Sequence, residues 1–404
     1  MLDTVKLIEG VYMSDRNIVG FLGWLILALV CMIYAPVAAE YMLRFFDVPS
    51  LELWDRLYAS VVGNQQALGP GSVRVVQHDV YTESRWAMLI HTVLGSVVLL
   101  LVASQFVRPL RQHYPAVHRW VGRSVIALGT VSMVAAACYL VKTGAQATFS
   151  GPAFYAQLWA LTIFTLVALW MGFVAILLRE IQLHQCLMIY AFALFLTAPL
   201  LRVAWLGLGL IWPDVTQEYL NVAAGIILGF LAPGGAAVAG MSTALTSGNP
   251  ARKPTLFLPG LGFELTAGLV AIVSGGVLYQ LHTLYIGPVD RILITATVTA
   301  TLVLAIFAAR VLTSYRRGDL QAAEEWRIHT VAVLGSLPIG LLLWGGYAVF
   351  FTPAHAFYAM TLTGPAVSIS SGYGFVLWRR WQNKPSRVAA GMKKKPGLIV
   401  SAAS

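Results

Sequence analysis

Four side chains in the first half of the sequence combine polar chemistry with apolar surroundings: His118, His184, His91 and Arg202. His118 opens the run His118-Arg119-Trp120-Val121-Gly122-Arg123, and His184 opens His184-Gln185-Cys186-Leu187-Met188; each stands at the start of a long apolar stretch. Two helix-borne imidazoles at one depth are what a six-coordinate haem b needs, one ligand for each face of the iron. Gly122, one turn past His118, would let a porphyrin approach the backbone, and Arg119 or Arg123 could pair with propionates. A non-haem metal site, or plain interfacial histidines bonded to carbonyls or lipid phosphate, fits the same spacing. His91 lies about five residues into its apolar run and Arg202 about seventeen into another of opposite direction, so at about 1.5 Å per residue both fall in one leaflet. There they could share a pocket for an anionic or lipid-like ligand.

The elements that must position these groups are membrane helices. Of 404 residues 58% are hydrophobic and only 11% charged, with mean hydropathy +0.74, whereas about a quarter of a soluble chain is charged. This excludes collagen-like, coiled-coil and disordered classes. The formal charge of +10 does not point to nucleic acid, because the basic residues flank apolar runs, as topology signals do. Cys31, Cys138 and Cys186 have no CxxC spacing, so neither a disulfide framework nor a thiolate metal site is expected.

Runs long enough to cross about 30 Å of hydrocarbon lie at roughly 17–38, 86–107, 118–141, 153–178, 185–208, 219–245, 257–280, 290–313, 326–350 and 356–378. The expected fold is an all-α polytopic bundle of about ten spans, since lipid satisfies no backbone polar group. With the first span read as a signal anchor, most Lys and Arg fall on one side together with the basic tail Arg379–Lys395. That predicts a bacterial-type inner-membrane protein with both termini cytoplasmic. The tail's Lys393-Lys394-Lys395 could touch anionic lipid.

The chain divides into an anchor (1–38), an outer loop (39–85), a first four-helix unit carrying the polar site (86–216), a second, degenerate unit of the same orientation (217–350), and a last span with its tail (351–404). In the outer loop, apolar positions 51, 54, 57, 58, 61 and 62 follow Ser50 at helical spacing, giving a short helix that lies on the membrane surface or packs on the bundle as a lid. The units are matched by the glycine-bearing openings of the third and seventh spans and by the basic ends of the fourth and eighth. On this register His184 corresponds to the neighbourhood of Ala323 and Arg202 to that of Leu341, so the second unit lacks the site. Its deep acid Glu264 is expected to pair with Arg310 at similar depth, locking the bundle or, less simply, relaying a proton. Glu324-Glu325 reads as a helix-start feature. No GxxxxGK[ST], HExxH or GxSxG occurs, so no enzyme class is assigned.

From His91 through Arg108, His118-Arg119-Trp120-Val121-Gly122-Arg123, His184 with Leu187-Met188, to Arg202, the sequence resembles an uncharacterised family of predicted membrane proteins, a domain of unknown function. The resemblance covers roughly 86–230, with the His-Arg-Trp-x-Gly-Arg element its most specific part. In architecture alone, helix-end histidines in four-helix units are similar to di-haem cytochrome b proteins. Two functions follow as expectations. One is a haem b redox module exchanging electrons with a quinone or partner subunit. The other is a non-redox membrane protein: an accessory subunit, or a transporter or enzyme for an anionic or lipid-like ligand.

Overall fold

The computed structural model describes residues 15–46, 48–244 and 261–382, and among them the secondary structure is helical throughout. The expected feature at Lys393–Lys395 lies outside the described residues. The first long helix, α1 (Asp15–Tyr41), ends in a 3-10 turn (Met42–Phe46) and leads into four short helices, α2 (Leu53–Val62), α3 (Asn64–Leu68), α4 (Val73–Val76) and α5 (His78–Glu83). Then come α6 (Arg85–Gln105), the short α7 (Arg108–His113), α8 (Pro115–Ala147), α9 (Gly151–Leu177), α10 (Ile181–Phe195), α11 (Thr197–Ile211) and α12 (Gln217–Ala244). The second half holds α13 (Gly262–Tyr285), α14 (Arg291–Arg316), α15 (Leu320–Leu334), α16 (Ser336–Tyr347) and α17 (Pro353–Gln382).

Among the described residues eight helices are long and apolar enough to cross a membrane, and nine if α10 and α11, bent by 41°, form one span. The tenth expected span, α17, is not in that set, although it is 30 residues long. Its Ser, Thr and Gly content and its terminal Arg379-Arg380 lower its apolarity. It packs between α9, α12, α15 and α16, where protein and not lipid is its solvent. Small residues allow that position: a Cβ on Gly229 of α12 would stand 2.8 Å from the Leu362 carbonyl of α17, and one on Gly364 would stand 3.2 Å from the Gly340 backbone of α16.

The bend between α10 and α11 has a local cause. Pro199 lacks the N–H that would bond the Phe195 carbonyl, and its ring crowds that turn, so the helix breaks at Leu196. The same device recurs between α15 and α16, which break at Gly335 three residues before Pro338. A proline also lies inside α12 (Pro233) and inside α17 (Pro365). The order long helix, broken helix, proline-bearing helix therefore occurs twice, as α9–α12 and α14–α17. The packing follows it, with α9 against α17 and α14 against α12.

The short helices between α1 and α6 form a folded cap. The apolar face of α2 turns onto the bundle, where Trp54 and Tyr58 are buried against Trp205 of α11. Hydrogen bonds fasten the cap: Gln66 Nε2 to the Val215 carbonyl (3.0 Å), the Val73 amide to Gln217 Oε1 (2.7 Å) and Gln77 Nε2 to the Ala147 carbonyl (3.0 Å). Buried Asp55 is held by Arg44 (2.5 Å) and Arg74 (2.7 Å), and Arg74 also reaches Glu52 at 2.9 Å.

Candidate functional site

His91 and Arg202 line one cavity of about 230 Å³, bounded by α1, α6, α8, α9, α10, α11 and α12, with Val73 and Tyr81 of the cap and Ala366 of α17 also in its wall. Most of the lining is apolar, including Phe154, Leu161, Leu194 and Leu228. Among the polar groups, His91, Gln157, Arg202, Trp205 and Asn221 stand beside tyrosine and threonine hydroxyls.

On α6, the His91 ring is held through Nδ1, 3.0 Å from the Ser132 carbonyl and 3.1 Å from Ser132 Oγ. Ser132 Oγ in turn donates to the His91 carbonyl at 2.9 Å. A carbonyl only accepts, so Nδ1 carries the proton, and Nε2 is left as an acceptor in the neutral ring. On α11, one turn past the Pro199 break, the Arg202 guanidinium stacks over the Trp205 ring at 4.6 Å. No carboxylate pairs with Arg202 among the described residues. An unneutralised cation inside a bilayer is costly unless something meets it.

Three residues beyond the sequence-based expectation belong to the same wall: Gln157 of α9, Asn221 of α12 and Trp205. Gln157 Oε1, Asn221 Oδ1 and Trp205 Nε1 are all buried without a hydrogen-bond partner. The signal that could have found the first two is their type, since an amide inside an otherwise apolar span must be satisfied by something other than lipid. From the cap, Tyr81 adds a phenol that burial pushes above its usual range, so it stays a neutral hydroxyl.

The other expected cluster is placed differently. His118 and His184 lie in the first turns of α8 and α10. His184 Nδ1 donates to the Gly172 carbonyl at 2.8 Å, whereas His118 Nδ1 is buried and unpartnered. Beside Gly122 lies the end of the Gln105 side chain, whose Oε1 would stand 3.3 Å from a Cβ placed there. Arg119 and Arg123 are exposed, and Arg123 lies 5.1 Å over the ring of the exposed Trp120. Among the described residues no group of three or more His, Cys, Asp or Glu gathers to hold a metal ion.

Two expectations about the second half are corrected. Glu264 pairs with Arg327 of α15, not with Arg310. The α13 helix packs on α15, whereas Arg310 is exposed on α14. Glu324 and Glu325 do not serve as the start of their helix. Asp319 caps it, accepting from the Ala322 amide at 3.0 Å. The two glutamates instead reach α17, Glu324 to Arg379 at 2.9 Å and Glu325 to Arg380 through two bonds of 2.8 and 2.6 Å.

Every cavity residue on α6 through α12 falls between Met88 and Gly229. Residues 88–232 match a family described as Predicted membrane protein (DUF2306). The matched segment thus contains His91, Gln157, Arg202, Trp205 and Asn221. It also contains both helix-end histidines. No curated protein and no solved structure matches the chain.

Proposed function

We propose that this membrane protein binds an amphiphile with an anionic head group in the cavity between α6, α9, α11 and α12, as a non-redox transporter, enzyme or accessory subunit. The carrying observation is Arg202, a cation in an apolar cavity with no carboxylate partner among the described residues. An anion opposite it forms charge-assisted hydrogen bonds and removes the cost of the unpaired charge. The apolar remainder of the cavity suits the first carbons of a chain. The cytoplasmic position of both termini, and a duplication with units over 86–216 and 217–350, are part of the same reading. It is tested by purifying the protein in mild detergent and identifying co-purifying small molecules by mass spectrometry. An anionic amphiphile near one per chain, lost in Arg202→Gln at unchanged thermal stability, is expected. Equal amounts in both proteins would overturn the reading.

A second reading keeps haem b between His118 and His184, with a quinone or partner subunit as redox partner. What favours it is the His184 ring: Nδ1 is committed to the Gly172 carbonyl, which leaves Nε2 for a metal, the arrangement that orients ligating histidines. The Gln105 side chain beside Gly122 would have to turn away. Oxidised and dithionite-reduced absorption spectra test it: a Soret band lost in His118→Ala or His184→Ala supports haem, and a colourless folded protein from haem-replete cells removes it.

A further inference from the structure

Where Arg202 takes an anion, as proposed above, we infer that the same head group also presents hydrogen-bond donors, hydroxyl or ammonium, to an acceptor pole, the Gln157 and Asn221 side chains that line the same cavity. The orientation of both amides is fixed by their neighbours. Gln157 Nε2 donates to the Gly225 carbonyl at 2.7 Å, and since a carbonyl cannot donate, Oε1 is the atom left over. Asn221 Nδ2 lies 2.9 Å from Ser150 Oγ, whose single proton goes to the Glu218 carbonyl at 3.1 Å. Ser150 Oγ therefore accepts from Asn221, and Oδ1 is again left over.

Both carbonyl oxygens are buried and unpartnered, and the Asn221 residue is 0% exposed. His91 Nε2 is a third acceptor on the same wall, because its Nδ1 is committed to Ser132. The donor pole, lining the same cavity, is the Arg202 guanidinium and the buried, unpartnered Trp205 Nε1–H. A bare anion satisfies only the donors and leaves Gln157 and Asn221 desolvated, which is the more expensive state for a buried polar group. A phosphate ester bearing hydroxyl groups satisfies both poles. Sites built to bond a ligand's OH or NH discriminate strongly against analogues without it.

The chemistry is that of a polyol phosphate, and its source is either a lipid head group or a soluble ester. The full-length protein is placed in phosphatidylcholine nanodiscs and titrated with phosphatidylglycerol and with phosphatidylmethanol, which has the same charge and chains but no hydroxyl. The soluble pair is sn-glycerol 3-phosphate and methyl phosphate. Preference for the hydroxyl-bearing member of either pair by about tenfold in Kd supports the inference, and the pair that binds identifies the source. In Gln157→Leu/Asn221→Leu the ratio should fall to about one, with phosphatidylmethanol or methyl phosphate bound as before. The wild-type ratio needs no variant, so a misfolded double variant does not decide the matter.

Equal binding of both members by the wild type, still lost in Arg202→Gln, would overturn the acceptor pole and leave the anion reading standing. Binding of none of the four probes would overturn both.

Discussion

In the second half of the bundle Glu264 is paired with Arg327, Glu324 with Arg379 and Glu325 with Arg380, whereas in the first half Arg202 faces a cavity with no carboxylate partner among the described residues. The elements around these charges are alike, each half having a long helix, a helix broken ahead of a proline and a proline-bearing helix. Charges that neutralise one another across two helices join those helices and leave little field for a ligand. A charge left over beside unpartnered amides keeps its capacity for an external group. The same contrast holds between matched positions, since Arg202 corresponds to Leu341 by equal distance from the two helix breaks. His329, 0% exposed and packed against Phe307, Trp326 and Tyr373, is the uncharged exception, a buried ring with neither nitrogen hydrogen-bonded.

The contrast is broken most visibly on its structural side. Arg380→Leu removes both bonds to Glu325, whose side chain is 6% exposed, and strands a buried carboxylate. The expected cost is about 3 kcal/mol or more, read as a fall of several degrees in the thermal transition of detergent-solubilised protein. No change in that transition would mean that the α15–α17 clamp contributes nothing. Arg202→Leu should behave oppositely. Its stability should stay within about 1 kcal/mol of wild type, because the lost stacking on Trp205 is offset by removal of an unpaired, half-buried cation. Its affinity for an anionic amphiphile should fall by about tenfold or more.

A smaller effect concerns the cap. The hydrogen bond from Arg74 holds the Glu52 carboxyl below its usual range. A carboxylate so depressed adds stability that is fully present above about pH 4.5 and is lost as pH falls through its folded value. Both side chains are more than one-third exposed, so Glu52→Gln should cost less than about 0.5 kcal/mol at neutral pH. That cost should vanish in acid and shrink in high salt, and thermal scans across pH of the two proteins check it. A constant difference down to pH 3 would show that the bond contributes through packing and not charge.

Much of this was legible in the sequence. Composition and run length suffice for the helical membrane fold, because lipid leaves the backbone no alternative. The rise per residue put His91 and Arg202 at one depth, and one cavity holds both. Depth does not fix the face of a helix, however, so Arg310 was an equally good partner for Glu264 until the packing of α13 on α15 selected Arg327. Gln157 and Asn221 escaped because an uncharged amide is a weak signal among apolar residues, and its importance emerges only when its neighbours are seen to leave an oxygen unpaired. Helix-end glycine has the same ambiguity: beside Gly122 lies the Gln105 side chain, which spacing along the sequence does not reveal. The apolar face of α2 likewise covers Trp205, a distinction that spacing alone does not make between a lipid surface and a protein one.

The central claim, that the unpaired cation of the first half makes a binding site, is tested most directly by the Kd for phosphatidylglycerol in phosphatidylcholine nanodiscs, compared among wild type, Arg202→Gln and Arg310→Gln. Arg310 is exposed on α14 and makes no ion pair among the described residues, so its variant controls for general attraction between a basic protein and an anionic lipid. The account predicts weakening by about tenfold or more in Arg202→Gln and an unchanged Kd in Arg310→Gln. Equal weakening in both variants, or none in either, would contradict it.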